Sequence, residues 1–189
     1  MATSTRALAG LKGAARRAGQ DLRLAGRHQL FSRFAGSPWL PGTLRKLVFT
    51  LAGASLNSSP GPAFVFLGSP RNLVVGSGVY FNVRVFVEAN GPVRIGDDCA
   101  LGMEAMILTS HHPLDQEGHW ATEAEPRPVV IGDRVWIGAR AVLLPGATIE
   151  SDVVIAAGAV VAGHCRSHGV YAGVPARRIR SYREPDSEE

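Results

Sequence analysis

A six-residue period dominates this sequence from Ile95 onward. Residues 131–166 read IGDRVW, IGARAV, LLPGAT, IESDVV, IAAGAV and VAGHCR, and residues 95–112 read IGDDCA, LGMEAM and ILTSHH. All nine units open on Ile, Leu or Val, and in all but one the fifth residue is small or β-branched. An α-helix would require a period of 3.6 residues and an amphipathic strand a period of two. The pattern therefore predicts a hexapeptide β-helix, in which three units form one triangular coil.

The first and fifth residues of each unit are expected to point into the coil, with successive coils stacked about 4.8 Å apart. Upstream the period is looser and starts at Leu67, and four extra residues (Gly91 to Arg94) are expected to shift the frame before Ile95. A parallel-sheet protein with accidental spacing is the alternative, but it would require nine coincidences. We predict an all-β chain whose catalytic β-helix spans residues 59–174.

Three segments interrupt or flank this predicted solenoid. Residues 1–58 are expected to form a basic, partly helical extension and a cap, with Thr43 as the N-cap of a short helix that covers the open end of the coil. Residues 113–130 are polar, hold three prolines and break the frame, so they are expected to leave the coil as an extruded loop. Residues 175–189 are predicted to form a short C-terminal helix, which Pro175 begins, and an acidic tail.

Composition limits the cellular context. The chain has no run of about 18 apolar residues that would span a membrane. Its first twenty residues lack the apolar core of a secretory signal, and an organellar transit peptide is a weaker alternative. Cys99 and Cys165 both fall at fifth positions of the repeat. We expect two free, buried thiols in a reducing compartment, and hence a cytoplasmic protein.

The charge is unevenly distributed along the chain. Residues 1–46 carry nine Lys and Arg against one acid, Asp21. A basic leader of this kind is able to contact anionic lipid or another polyanion, and the alternative is a solvated helical lead-in. No aromatic stacking platform or nucleic-acid motif accompanies the charge, so no nucleic-acid partner is predicted.

Several segments together resemble one enzyme family. They are YFNVRVF, IGD, LTSHHPLD, PVVIGDRVWIGARAVLLPGATI, VIAAGAVV and YAGVPARRIR. Over residues 44–182 the sequence resembles the hexapeptide-repeat O-acetyltransferases of the galactoside/maltose and colanic-acid acetyltransferase group. The resemblance implies a left-handed parallel β-helix, a homotrimer with active sites between adjacent subunits, and acetyl-CoA as co-substrate, with no metal required.

The resemblance also implies roles for individual residues. His112, which precedes a proline, would be the general base, a task that suits an imidazole near neutral pH. The backbone N–H of Ala139 would stabilise the oxyanion. The acceptor-binding residues implied are Asn82, Asn90 and Trp136. The CoA-binding residues implied are Ala139, Ala157, Gly158, Ala162, Arg177, Arg178 and Arg180, in which small side chains line the channel and arginines meet the phosphates.

Three departures from the family pattern bear on the acceptor and the base. His111 occupies a fifth position that is usually Gly or Ser, so it competes with His112 for the role of base. Asn90 stands where galactoside-type enzymes carry an acid, and the N-terminal sugar-binding segment of the maltose/galactoside branch is absent. These points favour acetyl transfer to a hydroxyl of a sugar or glycan precursor over transfer to a simple galactoside or maltose.

Three other functions remain open on the sequence. The acceptor hydroxyl could belong to a natural product or antibiotic. A γ-type carbonic anhydrase would need three converging histidines, for which the chain offers His119, His164 and His168. A non-catalytic β-helix scaffold would be expected to lose His112, Trp136 or the basic segment, and this chain keeps all three.

Overall fold

The computed structural model describes residues 34–182, which form a parallel β-helix with a short helix at its N-terminal end. Short strands follow one another around a triangular coil, and equivalent strands of successive coils pair in parallel to form three sheets. The β-helix predicted from the six-residue period is therefore confirmed. Among the described residues no helix is long and apolar enough to cross a membrane.

The three walls of the coil are named sheets I, II and III, in the order in which the chain passes through them. Sheet I contains β1 (Ser55–Leu56), β3 (Leu73–Val75), β6 (Val93–Ile95), β11 (Val129–Ile131), β14 (Thr148–Ile149) and β17 (His164–Cys165). Sheet II contains β4 (Tyr80–Phe81), β7 (Ala100–Leu101), β12 (Trp136–Ile137), β15 (Val153–Ile155), β18 (Gly169–Ala172) and β19 (Arg177–Ser181). Sheet III contains β2 (Val65–Gly68), β5 (Phe86–Ala89), β8 (Met106–Ile107), β13 (Val142–Leu143) and β16 (Val160–Val161).

The core is a set of stacked columns of inward side chains. On sheet II, Leu101 pairs with Ile137, and Ile137 pairs with Ile155 in the next coil. Each of these three side chains is almost fully buried. Because the side chains of a strand alternate between faces, a shift by one residue would turn every one of these aliphatics outward. The opening position of the hexapeptide therefore sets the register of all three sheets.

The register upstream of Ile95 differs from the sequence-based expectation. Val75 pairs with Ile95, and Val87 pairs with Ile107, so the frame is displaced by two extra residues rather than four. The reason is that both inward positions of these early units hold large buried apolar residues, such as Leu73 and Val75. The residue types of this segment are therefore compatible with two hexapeptide frames that differ by two residues.

The N-terminal helix α1 (Gly42–Leu51) covers the first coil, as expected of a cap. Its Phe49 is buried and meets Phe64 and Phe66 edge to face, with ring centroids 5.5 and 5.3 Å apart. The expected N-cap at Thr43 is wrong, because the helix already begins at Gly42 after Pro41, with no side-chain cap. Proline fixes φ near −65°, and here φ is −54°, so the turn into the helix is made before Thr43.

The predicted C-terminal helix is also wrong. Residues 177–181 form β19, which turns back and pairs antiparallel with β18. An isolated helix of this length is marginal in water. Pairing with β18 instead satisfies the edge of the last coil, which would otherwise expose unpaired backbone groups. The hairpin thus closes the C-terminal end of the β-helix, while residues 183–189 lie outside the described part.

The chain leaves the coil after Thr109 and rejoins it at Val129. Within this excursion β9 (Ser110–His111) pairs antiparallel with β10 (Glu125–Pro126), and Leu114 forms an isolated bridge with Trp120. Residue 111 therefore does not occupy an inward fifth position of the coil. His111 lies on β9, half-buried and outside the coil. A bulky imidazole is accommodated because no coil residue has to pack around it.

Both cysteines are free and buried in the core, as expected from the repeat. Burial disfavours the thiolate, and it raises the pKa of the Cys165 thiol to about 11. Burial likewise raises the pKa of the Cys99 thiol. Neither thiol is therefore ionised in the folded protein at neutral pH.

We predict that native protein at pH 8 reacts with an aromatic disulfide reagent at least about a hundredfold more slowly than protein unfolded in guanidinium. The physical reason is that the folded state combines a raised thiol pKa with lack of access. The measurement is thiol release followed over time, with the unfolded protein as the reference for two thiols. Fast native reaction of either cysteine would contradict its place in the core.

Candidate active site

His112 lies where the loop leaves the wall between sheets III and I. Its side chain is exposed, its Nδ1 is 2.8 Å from the carbonyl oxygen of Ala121, and its ring meets Trp120 edge to face at 5.8 Å. A carbonyl oxygen only accepts hydrogen bonds, so Nδ1 of the neutral ring must carry the proton. The lone pair then resides on Nε2. This tautomer has the form that a general base requires.

A carboxylate that the sequence did not single out holds the strand before His112. The carboxylate of Glu88 on β5 accepts the backbone N–H groups of Thr109 (3.2 Å) and Ser110 (3.0 Å) and the hydroxyl of Ser110 (2.7 Å). The hydroxyl of the buried Thr109 donates to the Glu88 carbonyl and accepts the N–H of Gly91. Glu88 thus fixes the point at which the chain departs from the coil. The available signal was a single acid at the end of the otherwise apolar VFVEA run.

Asn90 joins the same group of polar side chains. Its amide nitrogen donates to the Ser110 hydroxyl at 2.9 Å and to the Glu88 carboxylate at 3.1 Å. The structure therefore brings Asn90 close to the strand that leads to His112. We refer to Glu88, Asn90, Ser110 and His112 as the histidine cluster.

A second group of the expected site residues lies on a different corner, between sheets II and III. Asn82, Ala139, Ala157 and Gly158 follow strands of sheet II, and the N–H of Gly158 donates to the Ala139 carbonyl at 2.9 Å. Within residues 34–182 the Ala139 N–H has no acceptor, so it is free to donate to a ligand. Trp136 on β12 faces outward from sheet II and is 58% exposed. We call these five residues the amide corner.

The residues expected to bind CoA divide between the two corners. Ala157 and Gly158 are exposed on the amide corner, and a Cβ added to Gly158 would meet nothing within 4 Å. Ala162 follows β16 and lies on the corner between sheets III and I, two coils from the exit of the loop towards the C-terminal end. The open surface around these small residues fits an extended, unbranched ligand arm.

The three expected phosphate-binding arginines are exposed on β19, but their side chains differ in freedom. Arg178 donates to the carbonyls of Ser167 (3.1 Å) and His168 (3.0 Å), so its guanidinium is anchored to the last coil. Arg177 donates only to the neighbouring Ala176 carbonyl. In the described part of the chain the guanidinium of Arg180 has no acceptor. A strand with one anchored and one free guanidinium fits a phosphate-bearing ligand.

Sheet III separates the histidine cluster from the amide corner. A wall of about five residues is about 16 Å wide. The structure therefore groups Asn90 with His112 and groups Asn82, Trp136 and Ala139 with one another, but it does not unite the two groups within one chain.

The three histidines that a zinc site would need lie apart. His119 in the loop pairs with Asp115, and His164 on sheet I pairs with Glu150 at 2.7 Å. His168 precedes β18 and meets the ring of Tyr182. Among residues 34–182 these histidines therefore form no convergent set of imidazoles.

Comparison with known proteins agrees with the repeat pattern. The model of the bacterial transferase hexapeptide (six repeats) matches residues 128–163, and the model of the hexapeptide repeat of succinyl-transferase matches residues 92–109. Galactoside O-acetyltransferase of Escherichia coli is 32% identical over 144 residues, which are 76% of this chain and 70% of that protein. A putative lipopolysaccharide biosynthesis O-acetyl transferase of Escherichia coli is 47% identical over 113 residues, which are 55% of this chain and 58% of that protein.

A solved structure with the same fold carries a bound co-substrate. The hexapeptide-repeat-containing acetyltransferase of Vibrio cholerae, complexed with acetyl coenzyme A, superposes with a TM-score of 0.73 and 26% identity. The match covers 86% of this chain and 87% of that protein.

We predict that Glu88→Gln increases hydrogen exchange at the Thr109 and Ser110 amides by about tenfold or more. One oxygen of the carboxylate, Oε2, accepts both N–H groups, and a neutral amide oxygen is a weaker acceptor than a carboxylate oxygen, so both bonds weaken together. Exchange measured residue by residue checks this result, and amides of β12 and β13 should keep their protection. Glu117→Gln, a change in the exposed part of the same loop, is the matched control. Unchanged exchange at both amides would show that Glu88 does not hold the exit of the loop.

Proposed function

Because this chain belongs to the hexapeptide-repeat O-acetyltransferases, a family of left-handed β-helix acyltransferases, we propose that it transfers an acetyl group from acetyl-CoA to a hydroxyl of a sugar or glycan precursor. The observation that carries the proposal is His112, whose Nδ1 faces a carbonyl and whose Nε2 is therefore the basic nitrogen. Both cysteines are free thiols, which supports the cytoplasmic location that we include in the proposal.

In this reaction acetyl-CoA supplies a thioester carbonyl that is open to attack by an alcohol. Nε2 of His112 takes the proton from the acceptor hydroxyl as its oxygen attacks the thioester carbonyl carbon. The C–S bond then breaks, the ester forms, and the imidazolium returns the proton to the sulfur, so that CoA leaves as the free thiol. The free N–H of Ala139 is the donor proposed to stabilise charge on the carbonyl oxygen. Hydrogen bonding of the Glu88 carboxylate to the strand before His112 keeps the base in position, so Glu88 is a positioning residue.

A sugar or glycan hydroxyl is the acceptor we favour. Asn90 and Ser110 present an amide and a hydroxyl next to His112, and Trp136 presents an exposed ring on the opposite group. A carbohydrate has both hydroxyls and an apolar ring face. The polar side chains would bind the hydroxyls, and the aromatic ring would pack against the apolar face. The likeness to a putative lipopolysaccharide biosynthesis O-acetyl transferase supports the same class of acceptor.

The test of the proposed function is acetyl-CoA turnover, followed as free-thiol release, with a panel of sugars, nucleotide sugars, lipid-linked glycans and hydroxylated natural products. We expect release that depends on a glycan acceptor, and a loss of about 10²–10⁴-fold in rate for His112→Ala. His111→Ala is the control, because His111 lies on β9 and makes no side-chain contact of the kind seen for His112. An acceptor found only among natural products would overturn the glycan assignment, and a greater loss in His111→Ala would move the base.

The separation of the two groups by sheet III leads us to propose a homotrimer. In a three-fold assembly of parallel triangular columns, each contact joins one face to a different face of the neighbour. Only a contact between sheet I and sheet II places the III/I corner of one subunit opposite the II/III corner of the next. Each active site would then combine the histidine cluster of one subunit with the amide corner of another. The exposed Tyr80 and Trp136 on sheet II support burial of that face.

We predict that co-assembly of His112→Ala and Trp136→Ser subunits restores activity to two individually impaired proteins. In each trimer that holds both variants, about a third of the shared sites should contain both an intact histidine and an intact tryptophan. The measurement is thiol release from co-expressed, doubly tagged trimers, with their mass checked by light scattering. If both residues served the same site from one chain, the mixed trimers would stay as slow as the single variants.

A further inference from the structure

The cap helix carries apolar residues on two faces, although a cap needs only one. Phe49 and Arg45 face the first coil and are buried. Leu44, Leu47 and Leu51 lie three and four residues apart on a separate face and are 47%, 51% and 79% exposed. This second stripe contributes nothing to the core. It gives the N-terminal end of the column an apolar outer surface.

The turn that leads into the helix adds a tryptophan to the same end of the column. Trp39 is 93% exposed, and Phe34 before it is 67% exposed. The turn is anchored, because the buried guanidinium of Arg45 donates to the carbonyls of Ser37 (3.1 Å) and Leu40 (2.8 Å). A third bond from Arg45, to the Pro60 carbonyl at 2.6 Å, ties the turn to the first coil. The structure therefore holds Trp39 in solvent.

Among residues 34–87 of the described chain every charged side chain is basic: Arg45, Lys46, Arg71 and Arg84. Residues 1–33 add seven Lys and Arg and one acid, Asp21, to the sequence. The first acid of the described chain is Glu88, and every later acid belongs to the loop, the upper coils or the C-terminal segment. Arg71 lies against Gly53, just past the end of the helix, and is exposed. Arg45 is buried and Arg84 pairs with Glu104 at 3.4 Å, so Lys46 and Arg71 are the cations of residues 34–87 that lie near the stripe without an acidic partner.

We propose that this end of the protein docks on an anionic lipid bilayer. The apolar stripe and Trp39 would enter the boundary between headgroups and acyl chains, a region that amphipathic helices and tryptophan favour. The Lys and Arg residues would meet the lipid phosphates, each adding about 1 kcal/mol near an anionic surface. A second copy of the same end would oppose positive charge with positive charge, and the leader of the chain is itself basic. The proposal concerns binding and does not depend on the acetyl-transfer reaction.

The experiment is co-sedimentation of the full-length protein with vesicles of phosphatidylcholine alone and of phosphatidylcholine with about a quarter phosphatidylglycerol. We expect binding to the anionic vesicles only, and weaker binding at high salt. The triple variant Trp39→Ser, Leu47→Ser, Leu51→Ser should lower the partition coefficient about tenfold or more, because it removes three side chains that would be buried in lipid. Trp120→Ser is the matched control, since it removes another exposed tryptophan, from the loop and far from the cap in sequence, and should leave vesicle binding unchanged.

Three outcomes would overturn the proposal. Failure of the full-length protein to bind anionic vesicles rejects it directly, and equal binding of the triple variant would reduce the contact to charge alone. A smaller mass of the triple variant in light scattering would assign the stripe to a contact between copies of the chain. Circular dichroism melts of the variant check that the fold persists, which is expected because all three side chains are exposed.

Discussion

The stacking of equivalent inward side chains from one coil to the next is the interaction on which the whole structure depends. Leu101, Ile137 and Ile155 are far apart in sequence, yet each lies above the previous one because the strands pair in strict register. The same register stacks the corners. It places Glu104 beside Arg140, with Nε of Arg140 2.8 Å from the carboxylate, and it places Gly158 over Ala139. Every functional feature on a corner therefore inherits its position from the core.

The loop between Thr109 and Val129 is the one large departure from this regularity in residues 95–165. The coil tolerates the loop because β6 and β11, which belong to successive coils, pair in parallel as they would if the loop residues were absent. The entropy cost of closing a longer loop grows only slowly with its length. A flat wall of aliphatic strands cannot surround a substrate, whereas the excursion lifts a histidine off the wall. Glu88 links the two parts, because its backbone belongs to β5 and its carboxylate binds the exit of the loop.

A rigid triangular column presents polar groups on separate corners, and this geometry makes symmetry part of the proposed function. Within one chain, Nε2 of His112 and the free N–H of Ala139 lie at different corners, and sheet III separates them. A second copy, turned about a three-fold axis, is the simplest means of bringing them together. The charges also differ along the column, because residues 34–87 contain no acid whereas the later coils carry both signs and several ion pairs. Association between subunits and attachment to a surface would then use different parts of the molecule.

The β-helix, the location of the loop and the candidate residues could all be predicted from the sequence, because a six-residue period of aliphatic residues matches the β-helix and neither an α-helix nor an amphipathic strand. The sequence also identified both cysteines as core residues, since they occupied the small inward position. It did not determine the frame before Ile95, where two inward positions hold equally large side chains. It predicted a helix after Pro175, where local propensity is weak and the unpaired edge of β18 decides the outcome.

Only the tertiary structure decided which candidate residues are neighbours. Asn90 and Ser110 are twenty residues apart, and the pairing of successive coils brings their side chains within 2.9 Å. Glu88 accepts the N–H of Thr109, and the buried Arg45 donates to the carbonyl of Pro60. These partners are distant in the sequence, so no short sequence motif predicts either contact. Period and residue type act along the chain and can be read from it. Hydrogen bonds between coils depend on how many residues each turn contains, and that number is settled only when the coils stack.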